Sequence, residues 1–375
     1  MLCFIKPDER DFAPFFWLFL YWKNKGVNMS KDIFNEENMY NGEHTIEELR
    51  QMQSLPLLSK ISMTKNRIKA WYEYYHGNVY ISFSGGKDST VLLHLVQEMY
   101  KDVPIVYVDT GLEYPEVREF ALSIPNIITL QPVRYDTEDH LWERTTFKEV
   151  IQKEGYPVVS KEVSNTVWAA RRGLESIKRG GKSINETAIK KLKGTLKDKN
   201  GNKSKHNCSR WWYLIHAPFK ISDKCCDIMK KNPIHLYEKE TGRVPMLGIL
   251  TTESSLRLSS WLKNGCNNFS LTRPISMPLA FWTEEDILEY LYTYKCKYAS
   301  IYGDIIYENG HYYNTGVHRT GCMFCMFGLQ QEDEPNRFQQ MKITHPKIYD
   351  YCIKPLDEGG LGLGAIMDYM GIDYV

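Results

Sequence analysis

The sequence predicts an α/β protein: a doubly wound, mostly parallel sheet followed by a smaller helical region that bears cysteines. Three observations lead there. Short, nearly continuous apolar runs such as "VYISF" (79–83) and "PIVYVDTG" (104–111) read as strands buried on both faces. The stretch after the first, "STVLLHLVQEMY" (89–100), returns to helical spacing, and strands alternating with helices argue for a parallel sheet covered on both sides. The polar turns "SGGKDS" and "DTG" fall at the carboxyl ends of these strands, where ligands of such folds sit.

Taken in order, the chain opens with an apolar run, Phe12 to Trp22, only about half as long as a membrane helix of ~20 residues. Asp8, Glu9 and Asp11 spoil a basic leader, and Met29 begins a more ordinary start, "MSKDIFNEEN". Residues 1–28 are therefore expected to be a mis-called extension, with a short anchor or a partner-binding segment as alternatives. Residues 29–77 form an N-terminal helical segment. Within it, 57–76 reads as an amphipathic helix with Leu58, Ile61, Ile68 and Trp71 near one face, stopped by Gly77 and Asn78.

The main α/β region spans 78–277. "IITLQPV" (127–133) reads as its third buried strand and "VPMLGIL" (244–250) as its fourth. A basic insertion interrupts it at 178–206, where ten lysines and arginines face only Glu186 and Asp198. It is a solvated surface insertion or a flexible arm that contacts nucleic-acid phosphates. The C-terminal region, 278–375, contains a C-x-x-C motif and "WTEEDILEYLYTY" (282–294). There Thr283 stands at an N-cap position and Glu284, Glu285 and Asp286 in the first turn, where the helix dipole favours carboxylates.

With 375 residues and a net charge of +1, bulk charge offers no argument for nucleic acid or membrane. Nine cysteines, an odd number without a convincing secretory signal, point to reduced thiols or metal ligands in a cytoplasmic protein. No membrane association is expected.

"ISFSGGKDST" (81–90) resembles a phosphate loop yet fails the Walker A pattern, because Gly86-Lys87 is followed by Asp88. What remains is strand, Ser-Gly-Gly-Lys-Asp-Ser, helix. Gly85 and Gly86 let the backbone approach an anion, and the helix aims its free N–H groups at it. Ser84 and Ser89 add hydroxyl donors and Lys87 adds charge. Asp88 would repel a bare phosphate, so it works through Mg²⁺ or orients Lys87. The bland alternative is a Gly-Gly turn that only joins strand to helix.

Cys225-Cys226 and Cys322/Cys325 form a second constellation. C-x-x-C brings two thiolates onto one turn, and a distant adjacent pair completes four ligands, a number that zinc and iron–sulfur clusters both accept. Neighbouring side chains diverge, so the adjacent pair suits a cluster of several irons better than one tetrahedral ion. Cys3, Cys208, Cys266, Cys296 and Cys352 have no partner spacing and are expected to be free thiols.

"SFSGGKDSTVLLHL" (82–95) closely resembles the PP-loop of the adenine-nucleotide α-hydrolase superfamily, and within it the phosphoadenosine phosphosulfate (PAPS) reductase family. The resemblance covers roughly 78–330 and implies a Rossmann-like fold. It also implies an ATP, adenosine phosphosulfate (APS) or PAPS substrate, with Lys87 and Asp88 at the reacting phosphates. "VDTGLEYPEV" (108–117) resembles the family's second-strand segment and implies a nucleotide-side role for Asp109. "GILTTESSLR" (248–257) implies that Glu253, Ser254 and Arg257 line the nucleotide pocket, and "PLAFWTEEDILEYL" (278–291) resembles a further family helix. Lys224-Cys225-Cys226 and Gly321-Cys322-Met323-Phe324-Cys325 are similar to the cluster-bearing branch and imply that the four cysteines hold a 4Fe–4S cluster.

One departure matters. Sulfonucleotide reductases carry a nucleophilic cysteine near the C-terminus in a Glu-Cys-Gly-Leu/Ile-His context, and nothing here matches it; Cys352 sits in "YDYCIKP". A reductase without that thiolate loses its covalent step. The expectation therefore moves to the family's ATP pyrophosphatases, similar to those of DNA phosphorothioation and tRNA thiolation. These form AMP and pyrophosphate and activate an acceptor for sulfur insertion. Partners on that reading are a cysteine desulfurase and a nucleic acid met through 178–206. The alternatives are a thioredoxin-dependent reductase that makes sulfite, with Cys208 as a candidate thiol, and a non-catalytic nucleotide- or nucleic-acid-binding module.

Overall fold

Val79–Phe83 (β1) is a strand with four of its five residues buried, as its apolar run requires. The computed structural model describes residues 44–181 and 185–375, so the expectation for 1–28 lies outside the described residues. Helices Ile46–Gln53 (α1) and Leu57–Tyr74 (α2) precede β1. After it come Lys87–Met99 (α3), Ile105–Val108 (β2), Pro115–Leu122 (α4) and Ile128–Leu130 (β3). A hairpin of Val133–Asp136 (β4) and Leu141–Arg144 (β5) leads to Phe147–Lys153 (α5), Val158–Val159 (β6), Lys161–Lys178 (α6) and Glu186–Lys193 (α7). A π-helical turn, Asp227–Lys231, runs into Asn232–Thr241 (α8), Val244–Leu247 (β7), Ser255–Asn264 (α9), Asn267–Asn268 (β8) and Ile275–Ser276 (β9). The rest is Glu284–Thr293 (α10), Ile305–Glu308 (β10), His311–Asn314 (β11), Met326–Phe327 (β12), Arg337–Thr344 (α11), Pro346–Ile353 (α12) and Leu363–Met370 (α13).

Six strands make the main sheet in the order β3-β2-β1-β7-β9-β8, and only β8 runs antiparallel to its neighbour. Ile81 of β1 stands opposite Ile105 on one side and Met246 on the other, so the central strand is paired along both edges. The mostly parallel α/β class expected from sequence is the one observed. Two details differ. The run at 127–133 yields only the edge strand Ile128–Leu130 rather than a buried one: no strand among the described residues lies beyond it, and Ile128 is 37% exposed. Leu58 leaves the apolar face of α2 and is 71% exposed, whereas Ile61, Ile68 and Trp71 are buried. At 100° per residue Leu58 stands about 140° from Trp71, beyond the buried stripe.

Two apolar cores organise the chain. The first gathers β1, β2 and β7 with Trp71 of α2, Leu92 and Leu95 of α3, Trp261 of α9 and Leu288 and Leu291 of α10. The second takes α5, β6 and α6 together with the segment 323–367, and holds Val158, Val167, Met323, Met326, Phe338 and Met367. A short parallel pairing joins its two sequence blocks, with Met326 opposite Val158 and Phe327 opposite Val159. The basic insertion is no free arm: α7 buries Leu192 in the second core, and Lys191 pairs with Glu162 of α6 at 3.0 Å. Among the described residues no helix is long and apolar enough to cross a membrane.

A buried ion pair bolts α10 to α2. Lys60 Nζ donates to both oxygens of Asp286 at 2.7 Å, and Lys60 is only 2% exposed. Asp286 also accepts the Thr283 N–H at 2.6 Å and the Thr283 hydroxyl at 2.8 Å, while Trp282 Nε1 donates to Thr64 Oγ1 at 2.9 Å. Removing the cation alone strands a buried carboxylate. Lys60→Ala should therefore lower unfolding free energy by about 3 kcal/mol in a urea titration. A loss below ~1 kcal/mol would show that water replaces the lysine there.

Candidate functional site

The loop Ser84–Ser89 leaves the carboxyl end of β1 and enters α3 directly. Gly85 has φ +74°, and a β-carbon there would stand 2.7 Å from Val117 Cγ1, so backbone and space both demand glycine. Ser89 Oγ accepts the Ser84 N–H at 3.3 Å, lies 3.0 Å from Ser84 Oγ and donates to Gly86 O at 2.9 Å. Thr90 Oγ1 donates to the same carbonyl at 2.9 Å. These bonds curl the loop, and Gly86 at the N-cap offers no side chain to cap α3. A first turn without a side-chain cap has the polarity that receives an anion. Behind the loop, a β-carbon on Gly248 would stand 2.8 Å from Asp88 O and from Ser89 N. The end of β7 thus presses on the loop backbone.

Lys87 is buried. Its Nζ donates to Glu284 Oε1 and Asn314 Oδ1, both at 3.0 Å, and lies 5.1 Å from the centre of the Tyr302 ring. Asn314 is fixed in turn, its Nδ2 donating to Tyr302 O and Val317 O at 3.0 Å. Burial pushes the Asp88 carboxyl up to about 6, helped by Glu284 and opposed by Lys87, Arg257 and Arg319. Arg257 is ion-paired with Glu253 one turn earlier, Glu253 accepts the Leu250 N–H at 3.2 Å, and Ser254 caps α9 by accepting the Arg257 N–H at 3.3 Å. Arg319 donates to Glu253 O at 3.5 Å.

The fold thus gathers Ser84, Gly85, Gly86, Lys87, Asp88, Ser89, Glu253, Ser254 and Arg257 at one sheet edge. Asp109 stands apart. Arg118 grips its carboxylate with two bonds of 2.8 and 2.7 Å, which holds it below the usual carboxylate range, so its partner is α4 rather than the loop. Glu284 was legible only as a first-turn acid; Asn314, Tyr302 and Arg319 carried no signal except that Arg319 lies three residues before Cys322.

The two cysteine pairs converge. Cys225 and Cys226 begin the turn that leads into the π-helical segment, and Cys322 and Cys325 lie on the loop before β12. Burial pushes the Cys225 thiol well up, and Cys226, Cys322 and Cys325 all add to that shift. Lys230 hydrogen-bonds Cys322, and Arg337 donates to Cys325 O at 3.0 Å, so cations stand beside the thiols. Among the described residues no group of three or more His, Cys, Asp or Glu is placed to hold a metal ion. Leu112 O, just after β2, accepts the Met323 N–H at 2.8 Å and ties the cysteine loop to the carboxyl edge of the main sheet. Between these parts lies a cavity of about 540 Å³ lined by Gly111, Glu113, Arg118 and Phe324. It flanks the cysteine side and does not cover Lys87.

A strand–glycine loop–helix stands at the carboxyl edge of a parallel sheet in this α/β protein, with Lys87 and two arginines around it. Residues 78–162 match the phosphoadenosine phosphosulfate reductase domain. An uncharacterised protein of Methanocaldococcus jannaschii is 24% identical, the match covering 78% of this chain and 52% of that protein. The phosphoadenosine 5′-phosphosulfate reductase of Xylella fastidiosa is 28% identical over 26% of this chain and 45% of its own length. The chain thus spans about half the length of these curated relatives. The crystal structure of a PAPS reductase from Candida auris, a phosphate complex, aligns over 69% of this chain and 92% of its own, with 14% identity and a TM-score of 0.34.

Two outcomes are expected from this geometry. Gly248→Ala must push the loop backbone and should weaken nucleotide binding at least tenfold in calorimetry, with a stability loss of about 1–3 kcal/mol. Unchanged affinity would show that the loop tolerates the shift. Asp88 burdens the empty protein: a carboxyl raised from 3.8 to about 6 is neutral in both states at low pH, and its penalty grows as pH climbs between those values. Asp88→Asn should therefore gain about 2 kcal/mol over the parent at pH 8 and little at pH 4, read by urea denaturation. An equal gain at both pH values would remove the buried charge as its cause.

Proposed function

We propose that the chain is a nucleotide-dependent sulfur-transfer enzyme that converts ATP to AMP and pyrophosphate while activating an acceptor for sulfur insertion. What carries the reading is the set of basic groups around an uncapped helix start, Lys87 with Arg257 and Arg319, combined with the condition of the remaining thiols. Cys352 is fully buried in the second core and its thiol is pushed well up. Cys208 is half-buried and raised by the same cause. Neither has the depressed pKa and access that a nucleophile attacking an activated sulfate needs.

In the proposed reaction an acceptor oxygen attacks the α-phosphorus, and the bond to pyrophosphate breaks with its electron pair on the leaving oxygen. Lys87 and the start of α3 stabilise that developing charge, which is the larger part of catalysis in such sites. Lys87 must first exchange Glu284 for phosphate oxygen. Asp88 orients Lys87 or holds a Mg²⁺ that neutralises the phosphates. Sulfide then displaces AMP from the activated acceptor.

The four converging cysteines suit a 4Fe–4S cluster by their chemistry: four thiols, two of them adjacent, with Lys230 and Arg337 to offset thiolate charge. When bound, the cluster would supply redox capacity or a sulfur-handling site. A nucleic-acid acceptor suits the exposed lysines of 190–205, and a cysteine desulfurase suits the need for reduced sulfur.

The test uses anaerobically purified protein given ATP, APS and PAPS separately, the last two with thioredoxin. Pyrophosphate and AMP from ATP are expected. Sulfite from APS or PAPS would replace this reading with a reductase. Asp88→Ala should abolish turnover and leave cluster absorbance intact. Cys322→Ser should lose iron in a colorimetric assay, and full iron content would remove Cys322 from the ligand set.

A further inference from the structure

Arg319 belongs to no motif, yet the fold spends several contacts on the backbone that carries it. Gly316 N–H donates to Tyr302 O at 2.8 Å and Val317 N–H to Ile301 O at 3.0 Å, and no β-carbon fits at Gly316 against Ile301 O. Thr320 Oγ1 lies 2.5 Å from Tyr302 Oη, and Asn314 is bonded to Lys87 Nζ. The segment 314–320 is therefore pinned at both ends to the parts that surround the loop.

Its arginine, by contrast, is held loosely. The guanidinium is exposed, and its hydrogen bond among the described residues is a 3.5 Å contact with Glu253 O. Lys87 and Arg257 each have a carboxylate at bonding distance, Glu284 and Glu253. Arg319 has none among the described residues. It nonetheless lies within electrostatic reach of both the Asp88 carboxylate and the Arg257 guanidinium. A rigid backbone that presents an unpaired forked donor beside an anion-receiving loop is the arrangement by which arginine recognises phosphate.

We propose that Arg319 binds the phosphate chain of the nucleotide from the side facing the cysteines, and so ties occupancy of the loop to the position of the Cys322–Cys325 segment. This rests on the nucleotide reading above. The link is short: Arg319 is three residues from Cys322, and the next residue, Met323, is already bonded to Leu112 O. A phosphate gripped by Arg319 would draw its side chain and the turn toward Cys322 against the loop, whereas in the empty site that side chain has only the long bond to Glu253 O.

The test measures ATP and inorganic pyrophosphate affinity by calorimetry for the parent, Arg319→Ala and Arg319→Lys, with hydrogen–deuterium exchange at saturating ATP. Arg319→Ala should weaken binding about tenfold or more, the size of a charge-assisted hydrogen bond. Arg319→Lys should recover part of that, since charge is kept and the fork is lost. ATP should slow exchange at 84–89 in all three proteins, but at 317–321 only in the parent. Thermal midpoints within a few degrees are expected because the side chain is exposed. Parent-like affinity in Arg319→Ala, or parent-like protection of 317–321, overturns the proposal while the nucleotide reading stands. A parent that binds neither ATP nor pyrophosphate overturns both.

Discussion

The structure turns on one buried cation. Lys87 sits at the first turn of a helix that no side chain caps, and its ammonium needs anionic or polar company because it is almost wholly removed from water. Glu284 and Asn314 provide it, from two elements more than 190 residues further along the chain. The demand explains much of the surrounding architecture. Asp286 and Lys60 fix the start of α10 so that Glu284 reaches the loop, and the β10–β11 hairpin delivers Asn314 from the other side.

How much of this was legible follows from the range of the interactions. The strand β1, the loop and the start of α3 are consecutive, so hydrophobic pattern and glycine spacing revealed them. The four cysteines were paired by spacing and resemblance, not by any local rule, and the second core brings them together. Glu284 could be read only as a helix-start acid, because its task depends on a lysine 197 residues away. Asn314 and Arg319 gave no periodic or compositional signal. Their neighbours are supplied by tertiary packing alone. The errors have the same origin: Leu58 and the strand at 128–130 are apolar enough for the interior, but helix phase and position at the sheet edge decided their exposure.

Stability and function pull apart at the loop. Asp88 is charged at neutral pH against the cost of its burial, Gly85 and Gly248 occupy places where no side chain fits, and α3 lacks a cap that a serine or aspartate would give cheaply. None of these choices helps an empty fold. Each makes sense for a cavity shaped around a polyanion, and the two cores on either side hold the strain.

The interleaving of the two cores also sets when the protein can fold. The sheet core needs Leu291 and Ile305, yet the second core draws on residues 147–229, which leave the ribosome before them. The second core in turn waits for Met367. A nascent chain can therefore close the sheet core once Ile305 has emerged, while the second core, begun before then, stays open until Met367. It must hold the apolar faces of α5, α6 and the cysteine-bearing turn half-covered until residue 367 has emerged, a topology rich in contacts distant in sequence and slow to close.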